Sequence, residues 1–145
     1  MKVREAMTAD AQLVNPGQTI REAARLMADL DIGALPVGDS DRLVGVITDR
    51  DIAVRAVADG RGPDARVDEV MSREVKYCFD DDDLDAVASN MGQIQVRRLP
   101  VVNRDKRLVG IVSLGDVAAF EEPNKTGRAL AGISTPGGAH SQTAH

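Results

Sequence analysis

The stretch GVITDRD at residues 45–51 decides how this chain is read, because its pattern returns as GIVSLGD at residues 110–116. Each stretch has a glycine, a hydroxyl three residues later and a carboxylate three residues after that: Gly45, Thr48 and Asp51, then Gly110, Ser113 and Asp116. The coincidence spreads outward. Val3 and Val67, Met7 and Met71, Ile20 and Leu84, Ala24 and Ala88, Met27 and Met91, and Pro36 and Pro100 all pair at a spacing of 64. After one inserted residue, Leu43 and Leu108, Val44 and Val109, and the two motifs themselves pair at 65. A constant spacing of this kind marks two copies of one supersecondary unit. The chain is therefore expected to divide into a repeat at 1–62, a repeat at 63–121 and a tail at 122–145.

The totals set bounds on what such a doubled unit does. With 145 residues, 43% hydrophobic and 28% charged, the balance is that of one ordinary globular body. There is no Trp, one Tyr and two Phe, so the core must be aliphatic and stacking platforms for single-stranded nucleic acid are missing. A net charge of -5 likewise lacks the cation excess that tracks phosphate backbones, so nucleic acid is not an expected partner. Cys78 is the only cysteine, which rules out an intrachain disulfide and a multi-thiolate metal centre and fits a reducing compartment. No run of about 18 apolar residues occurs, so no membrane span is expected, and the protein is expected in the cytoplasm.

Within each copy the hydrophobic pattern changes period in the same order. A short apolar piece, QLVN at 12–15 or KYCF at 76–79, precedes a helix that starts at Thr19 or at the acidic run Asp80 to Asp83. Acids there suit the unpaired N–H groups of a first turn, and a solvated helix start is preferred over a metal site. Ile20, Ala23, Ala24, Met27 and Leu30, and Leu84, Val87, Ala88 and Met91, give each helix one apolar face. ALPV and RLPVV read as short strands, with Pro36 and Pro100 expected at an edge or a strand start because they lack an N–H. RLVGVIT and RLVGIVS read as buried strands, each followed by a second helix, from Asp49 to about Asp59 and from Leu114 to about Phe120. The fold class is α/β, of the α+β kind: two tandem β-α-β-β-α units, each too small to bury its own sheet, packed face to face about a pseudo-twofold axis. Past Glu121 the chain turns rich in Gly, Ser, Thr and Pro and reads as a flexible tail, with His140 and His145 exposed in it.

The chemistry of the doubled motif has two readings. In T-x-x-D or S-x-x-D at a helix start, hydroxyl and carboxylate stand one turn apart on one side of the helix, where both address one molecule. The helix N-terminus and the hydroxyl suit a phosphate, the carboxylate suits the paired hydroxyls of a ribose, and the glycine in the preceding strand removes a side chain where a helix or a ligand must approach closely. The same spacing is also a capping box, in which the two side chains satisfy the helix's own backbone donors. The copies differ around the motif. Arg97 and Arg98 stand where the first copy has Gly33 and Ala34, and Leu114 and Gly115 where it has Asp49 and Arg50. Arginine's planar fork matches phosphate oxygens, and a solvated strand edge is the other reading of Arg97 and Arg98. With Asp49 and Arg50 replaced, the two clefts are not chemically equivalent and one is expected to bind better.

Two copies of an LPV strand followed by GVITDRD or GIVSLGD resemble a pair of CBS domains, the regulatory Bateman module, over about residues 1–121. DIGALPV, GVITDRDI and QVRRLPV further resemble stand-alone two-CBS proteins of the actinobacterial hypoxic-response type. The resemblance implies an adenosine-type ligand such as AMP or ATP in the clefts between repeats, with Thr48, Asp51, Ser113 and Asp116 on ribose and phosphate. It implies phosphate contacts from Arg97 and Arg98, a base pocket from Val14 and Asn15 or from Cys78 and Phe79, and cleft positions for Ala34, Pro36 and Pro100 beside the LPV strands. It also implies a homodimer and, with no effector domain in the repeats, an unknown regulated protein. Two alternatives stand beside this regulatory module: a ligand-free interaction protein whose motifs are only caps, and a phosphohydrolase using Asp51 or Asp116. The last lacks a base-orienter pair or a metal set, so the protein is expected not to be an enzyme and to carry no catalytic cofactor and no metal.

Overall fold

The computed structural model describes residues 1–9 and 11–136. In chain order the elements are α1 (Val3–Ala6), β1 (Thr8–Ala9), α2 (Ile20–Leu30), β2 (Ala34–Asp39), β3 (Arg42–Thr48), α3 (Asp49–Asp51), which runs on as a π-helix (Ile52–Val57), α4 (Val67–Val70), β4 (Cys78–Phe79), α5 (Leu84–Ile94), β5 (Arg98–Val102), β6 (Leu108–Ser113), α6 (Leu114–Phe120) and α7 (Pro123–Ile133). They gather into two compact units that cut the chain differently from its repeats. One consists of Gln12–Val75 with Lys106–Leu108; the other, among the described residues, of residues 1–9, 11, 76–105 and 109–136. The start of each repeat has thus left its own copy: α1 and β1 join the second repeat, and α4 joins the first.

In the first-repeat unit, β2 and β3 form an antiparallel hairpin. Its turn places Ser40 and Asp41 at φ 50 and 69, the paired left-handed residues of a turn that matches strand twist. Val14 bridges β2 in parallel and Ser72 bridges Val46 on the far side of β3. α2 starts at Thr19, whose side chain accepts from Glu22 N at 3.2 Å, with the Glu22 carboxylate reaching back to Thr19 N. Val14, Ile20, Ala23, Met27, Leu35, Val37 and Ile47 bury themselves against Ala56, Val67, Val70 and Met71.

In the second-repeat unit the strand order is β1-β6-β5-β4, with β1 antiparallel to β6 and β4 parallel to β5. Leu84, Val87, Ala88 and Met91 of α5 pack with Leu99, Val101 and Val112 of the sheet and with Val3 and Ala6 of α1. Asp31 and Gln95, 64 residues apart, end α2 and α5 with left-handed φ of 54 and 60. The repeat extends even to that backbone conformation.

Three expectations need correction. Pro100 lies inside β5, between β6 and β4, and not at an edge, whereas Pro36 lies on β2, an outer strand of a two-stranded sheet, as expected. Their rings are tolerated because the parallel neighbour is minimal: Val14 makes a single bridge at Val37, and two-residue β4 pairs with β5 only from Val101 onward. The acidic run does not serve α5 as a first turn. Asp83 occupies the N-cap without a side-chain bond, Asp82 accepts from Phe79 N at 2.9 Å, and Asp81 pairs with Arg104 at 2.7 Å. Meanwhile the carbonyls of Asp80 and Asp82 accept the first N–H groups of α1. Finally, residues 123–133 are a helix rather than a flexible tail: α7 packs on α5 and α6. A hydrogen bond from Lys125 at 2.7 Å holds the Asp85 carboxyl below its ordinary range, while Glu121 is pushed above its own by hydrogen bonding to Asp85. His140 and His145 lie outside the described residues.

Candidate functional site

Both motifs fold as reciprocal caps. Asp51 N donates to Thr48 Oγ1 at 3.0 Å and Thr48 N to Asp51 Oδ2 at 3.0 Å. Asp116 N donates to Ser113 Oγ at 3.2 Å and Ser113 N to Asp116 Oδ2 at 2.9 Å. One carboxylate oxygen of each Asp is thereby committed to backbone, and the rotamer that commits it fixes where the other points. In the first repeat that second oxygen lies 3.9 Å from Arg55 Nε; in the second, no bond to it exists among the described residues. Thr48, Asp51, Ser113 and Asp116 are all half-buried. Removing either hydroxyl, as Thr48→Ala or Ser113→Ala, should cost about 1 kcal/mol, read as a drop in denaturation midpoint with unchanged slope.

The motif glycines have a different partner from the one expected. A Cβ on Gly110 would stand 2.6 Å from the Thr8 carbonyl oxygen and 2.8 Å from Met7 Sδ. A Cβ on Gly45 would stand 2.6 Å from Met71 Sδ and 2.8 Å from the Ser72 carbonyl oxygen. What comes this close is the exchanged segments, and Met7–Thr8 and Met71–Ser72 are themselves equivalent at a spacing of 64.

The loop before each LPV strand is tied to its motif helix by one backbone bond. Asp49 N donates to Gly33 O at 2.9 Å, and Leu114 N to Arg97 O at 2.8 Å. Charge at this junction differs between repeats. In the first, the Asp49 carboxylate covers Gly33 so closely that a Cβ there would meet Oδ2 at 2.8 Å. In the second, Arg97 and Arg98 are exposed, no carboxylate is near by sequence, and neither arginine takes part in an ion pair among the described residues. Beside Ser113 and Asp116 stand two guanidinium groups with no ion pair among the described residues; beside Thr48 and Asp51 stand the Asp49 carboxylate and, 3.9 Å from Asp51, the Arg55 guanidinium.

The other expected site residues divide by exposure. Val14 and Cys78 are 1% and 4% exposed and belong to the cores, as do Pro36 and Pro100, which are buried; Ala34 is half-buried. Asn15 is exposed but turned to local work, its Oδ1 accepting from Gly17 N at 3.1 Å and its N donating to Gln18 at 2.9 Å. Burial, with a smaller effect from the Asp82 charge, pushes the Cys78 thiol up to about 12. Cys78 should therefore resist a thiol-specific reagent at pH 8 in native protein and react at once in denaturant.

Phe79 is the one aromatic of the expected base pocket, and sequence reasoning missed what surrounds it. The Arg104 guanidinium lies 4.1 Å over its ring, Tyr77 meets it edge-on at 5.7 Å, and Arg104 is held by two bonds to Asp81, at 2.7 and 3.0 Å. That pairing raises the Arg104 guanidinium and lowers the Asp81 carboxyl from their ordinary values. Arg104 and Asp81 are 23 residues apart and meet only because β4 runs parallel to β5, so no local signal marks them. Among the described residues no group of three His, Cys, Asp or Glu side chains is placed to hold a metal, and no helix is long and apolar enough to cross a membrane.

Known proteins share this arrangement. CBS domain-containing protein YhcV of Bacillus subtilis is 44% identical over 133 residues, covering 91% of this chain and 94% of that one. Hypoxic response protein 1 of Mycobacterium tuberculosis is 39% identical over 117 residues, covering 79% and 81%. A crystal structure of Hypoxic Response Protein I, with two coordinated zinc ions, superposes with a TM-score of 0.76 at 37% identity, covering 84% of this chain and all of that one, 100%. CBSX2 in complex with AMP gives 0.71 at 27% identity over 81% and 93%. The CBS domain pair of MJ0100, in complex with 5-methylthioadenosine and S-adenosyl-L-methionine, gives 0.69 at 30% identity over 83% and 94%. The family model for the CBS domain matches twice, at residues 3–57 and 67–122, so this chain belongs to the CBS-domain family as a tandem pair with an α+β fold.

Proposed function

We propose that this chain is a cytoplasmic regulatory module without catalysis of its own, which binds an adenosine-type nucleotide and reports it to another protein. The observation that carries this reading is the second-repeat junction, where Arg97 and Arg98, in no ion pair among the described residues, adjoin the capped pair Ser113 and Asp116. Ser113 and the arginines take the phosphate, and the free oxygen of Asp116 takes the ribose hydroxyls. Phe79 and Asn15 are the surface-reaching members of the two base pockets. AMP in CBSX2 and the adenosyl ligands of the MJ0100 pair support an adenosine core. The arginines favour a ligand with phosphate over S-adenosylmethionine, and the acid at Asp49 makes the first-repeat site the weaker. The family's habit of self-association brings a homodimer with it.

A second reading has its own support: each motif already satisfies backbone donors, as a cap with an empty cleft does. Isothermal titration of nucleotide-stripped protein with AMP, ADP, ATP, NAD and S-adenosylmethionine separates the two. Heat with phosphate-bearing ligands, lost in a folded Asp116→Ala variant, is the expected outcome. Silence across the panel favours the interaction module, and release of phosphate from ATP above the buffer rate overturns both.

A further inference from the structure

The second-repeat unit carries a helix that the repeat itself does not include. The family match ends at residue 122, and α7 begins at Pro123. It packs on α5 so closely that a Cβ on Gly92 would stand 3.2 Å from Ala129 Cα, and one on Gly132 would stand 2.5 Å from the Gly92 carbonyl oxygen. Both ends of α7 are fastened to segments that carry the proposed ligand contacts. At its C-terminal end, Gln95 Nε2 donates to the carbonyl oxygens of Gly132 and Thr135 at 3.1 and 2.7 Å, where intrahelical donors run out. Gln95 stands two residues before Arg97, in a left-handed conformation at φ 60 that residues other than glycine keep only when their surroundings hold them there. At its N-terminal end, Lys125 pairs with Asp85 at 2.7 Å and with Glu121 at 3.7 Å. Glu121 directly follows α6, the helix capped by Ser113 and Asp116, and its N–H closes the last turn of that helix on Val117 O at 2.8 Å.

Leu114 N also donates to Arg97 O, so the arginine junction, α6, α7 and Gln95 form one closed ring of contacts. A movement of α7 reaches Arg97 through two residues of backbone. The first repeat has a different arrangement at the equivalent places. Asp31 stands where the second repeat has Gln95, with the same left-handed backbone but a carboxylate that cannot donate, and Gly33 stands where it has Arg97. The fastened helix thus belongs to the repeat that carries the arginines.

We propose that α7 is a strap that holds the Arg97 and Arg98 junction in its phosphate-binding form, and that a phosphate-bearing nucleotide bound there holds α7 down in return. A preorganised site loses less freedom on binding, and the coupling between two sites is reciprocal. The proposal rests on nucleotide binding at the second-repeat site, and Gln95 acts in it as a positioning residue. Its test uses the full chain, stripped of nucleotide, with AMP as the probe, followed by titration calorimetry and by amide hydrogen exchange across residues 125–133. Saturating AMP should slow exchange in α7 about ten-fold in the wild type and leave it unchanged when Arg97 and Arg98 are both replaced by glutamate. Gly132→Leu sets a side chain against the α5 backbone, and Lys125→Glu sets a third carboxylate beside Asp85 and Glu121. Each should speed exchange in α7 and weaken AMP by about the same ten-fold factor, with adenosine affinity unchanged. Gln95→Gly keeps the left-handed backbone without strain and loses both bonds to α7, so it should weaken AMP as Lys125→Glu does. A Gln95→Gly protein that binds AMP like wild type, or wild-type binding that leaves α7 exchange unaltered, overturns the strap and leaves the nucleotide reading standing. No heat with AMP in the wild type overturns that reading and the strap with it.

Discussion

Replacing Arg97 and Arg98 together with glutamate should remove measurable AMP binding at the second-repeat site while leaving the fold intact. Both side chains are exposed and in no ion pair among the described residues, so nothing in the core depends on them. A hydrogen bond to a charged group contributes about 1.5–3 kcal/mol, so each arginine is expected to account for roughly a ten- to hundred-fold change in affinity, and the reversed charge adds repulsion. The control is adenosine, which lacks the phosphate. Its affinity should be the same in wild type and variant, which separates loss of a phosphate contact from damage to the pocket. Asp49→Leu, which gives the first repeat the residue found in the second, should relieve repulsion there without supplying a cation, and a modest gain in AMP affinity is expected. If the double variant binds AMP as tightly as wild type, these arginines do not read the phosphate, and the difference between repeats has another purpose.

The largest effect on stability is expected from Gly110→Val. Valine's Cβ would overlap the Thr8 carbonyl oxygen at 2.6 Å, and that oxygen belongs to backbone paired with β6 through Thr8 and Ile111. A flexible side chain swings away; a paired strand does not. Overpacking alone costs about 1–3 kcal/mol, and expulsion of β1 adds the lost pairing, so about 3 kcal/mol or more is expected. For a chain of this size that is a fall in melting temperature on the order of 10 °C. Gly45→Val should behave alike, against Ser72 and Met71. Gly62→Ala is the matched control, since its Cβ would have nothing within 4 Å, and it should leave the melting temperature nearly unchanged. A Gly110→Val protein that melts with wild type would mean that β1 does not lie where it is placed.

These two experiments address different parts of the doubled motif. Its hydroxyl and carboxylate were legible as a helix cap and as ligand groups, because both roles follow from one turn of helix. Its glycine is expected to make room for a helix or a ligand, and the structure gives that room to an exchanged segment: the crowding residue is more than 100 positions away in one repeat, at Thr8, and 27 away in the other, at Ser72. Separation in sequence also hid the Arg104 contact on Phe79, and burial makes Val14 a core residue first.

By itself the sequence determined whatever depends on neighbours within a few turns: two copies of one unit, the amphipathic α2 and α5, the caps at Thr19, Thr48 and Ser113, and the charge difference between the two junctions. These are short-range effects of periodicity, capping and side-chain type, and they act the same way in any surroundings. Tertiary structure alone decided which copy of a repeated segment packs with which sheet. Met7 with Thr8 and Met71 with Ser72 are so alike that either glycine strand would accept either, and the choice is made by chain connectivity and the closing of each core. It also decided the fate of residues 123–133. Their small side chains read as a tail in isolation, yet they allow the close backbone approach by which α7 covers α5.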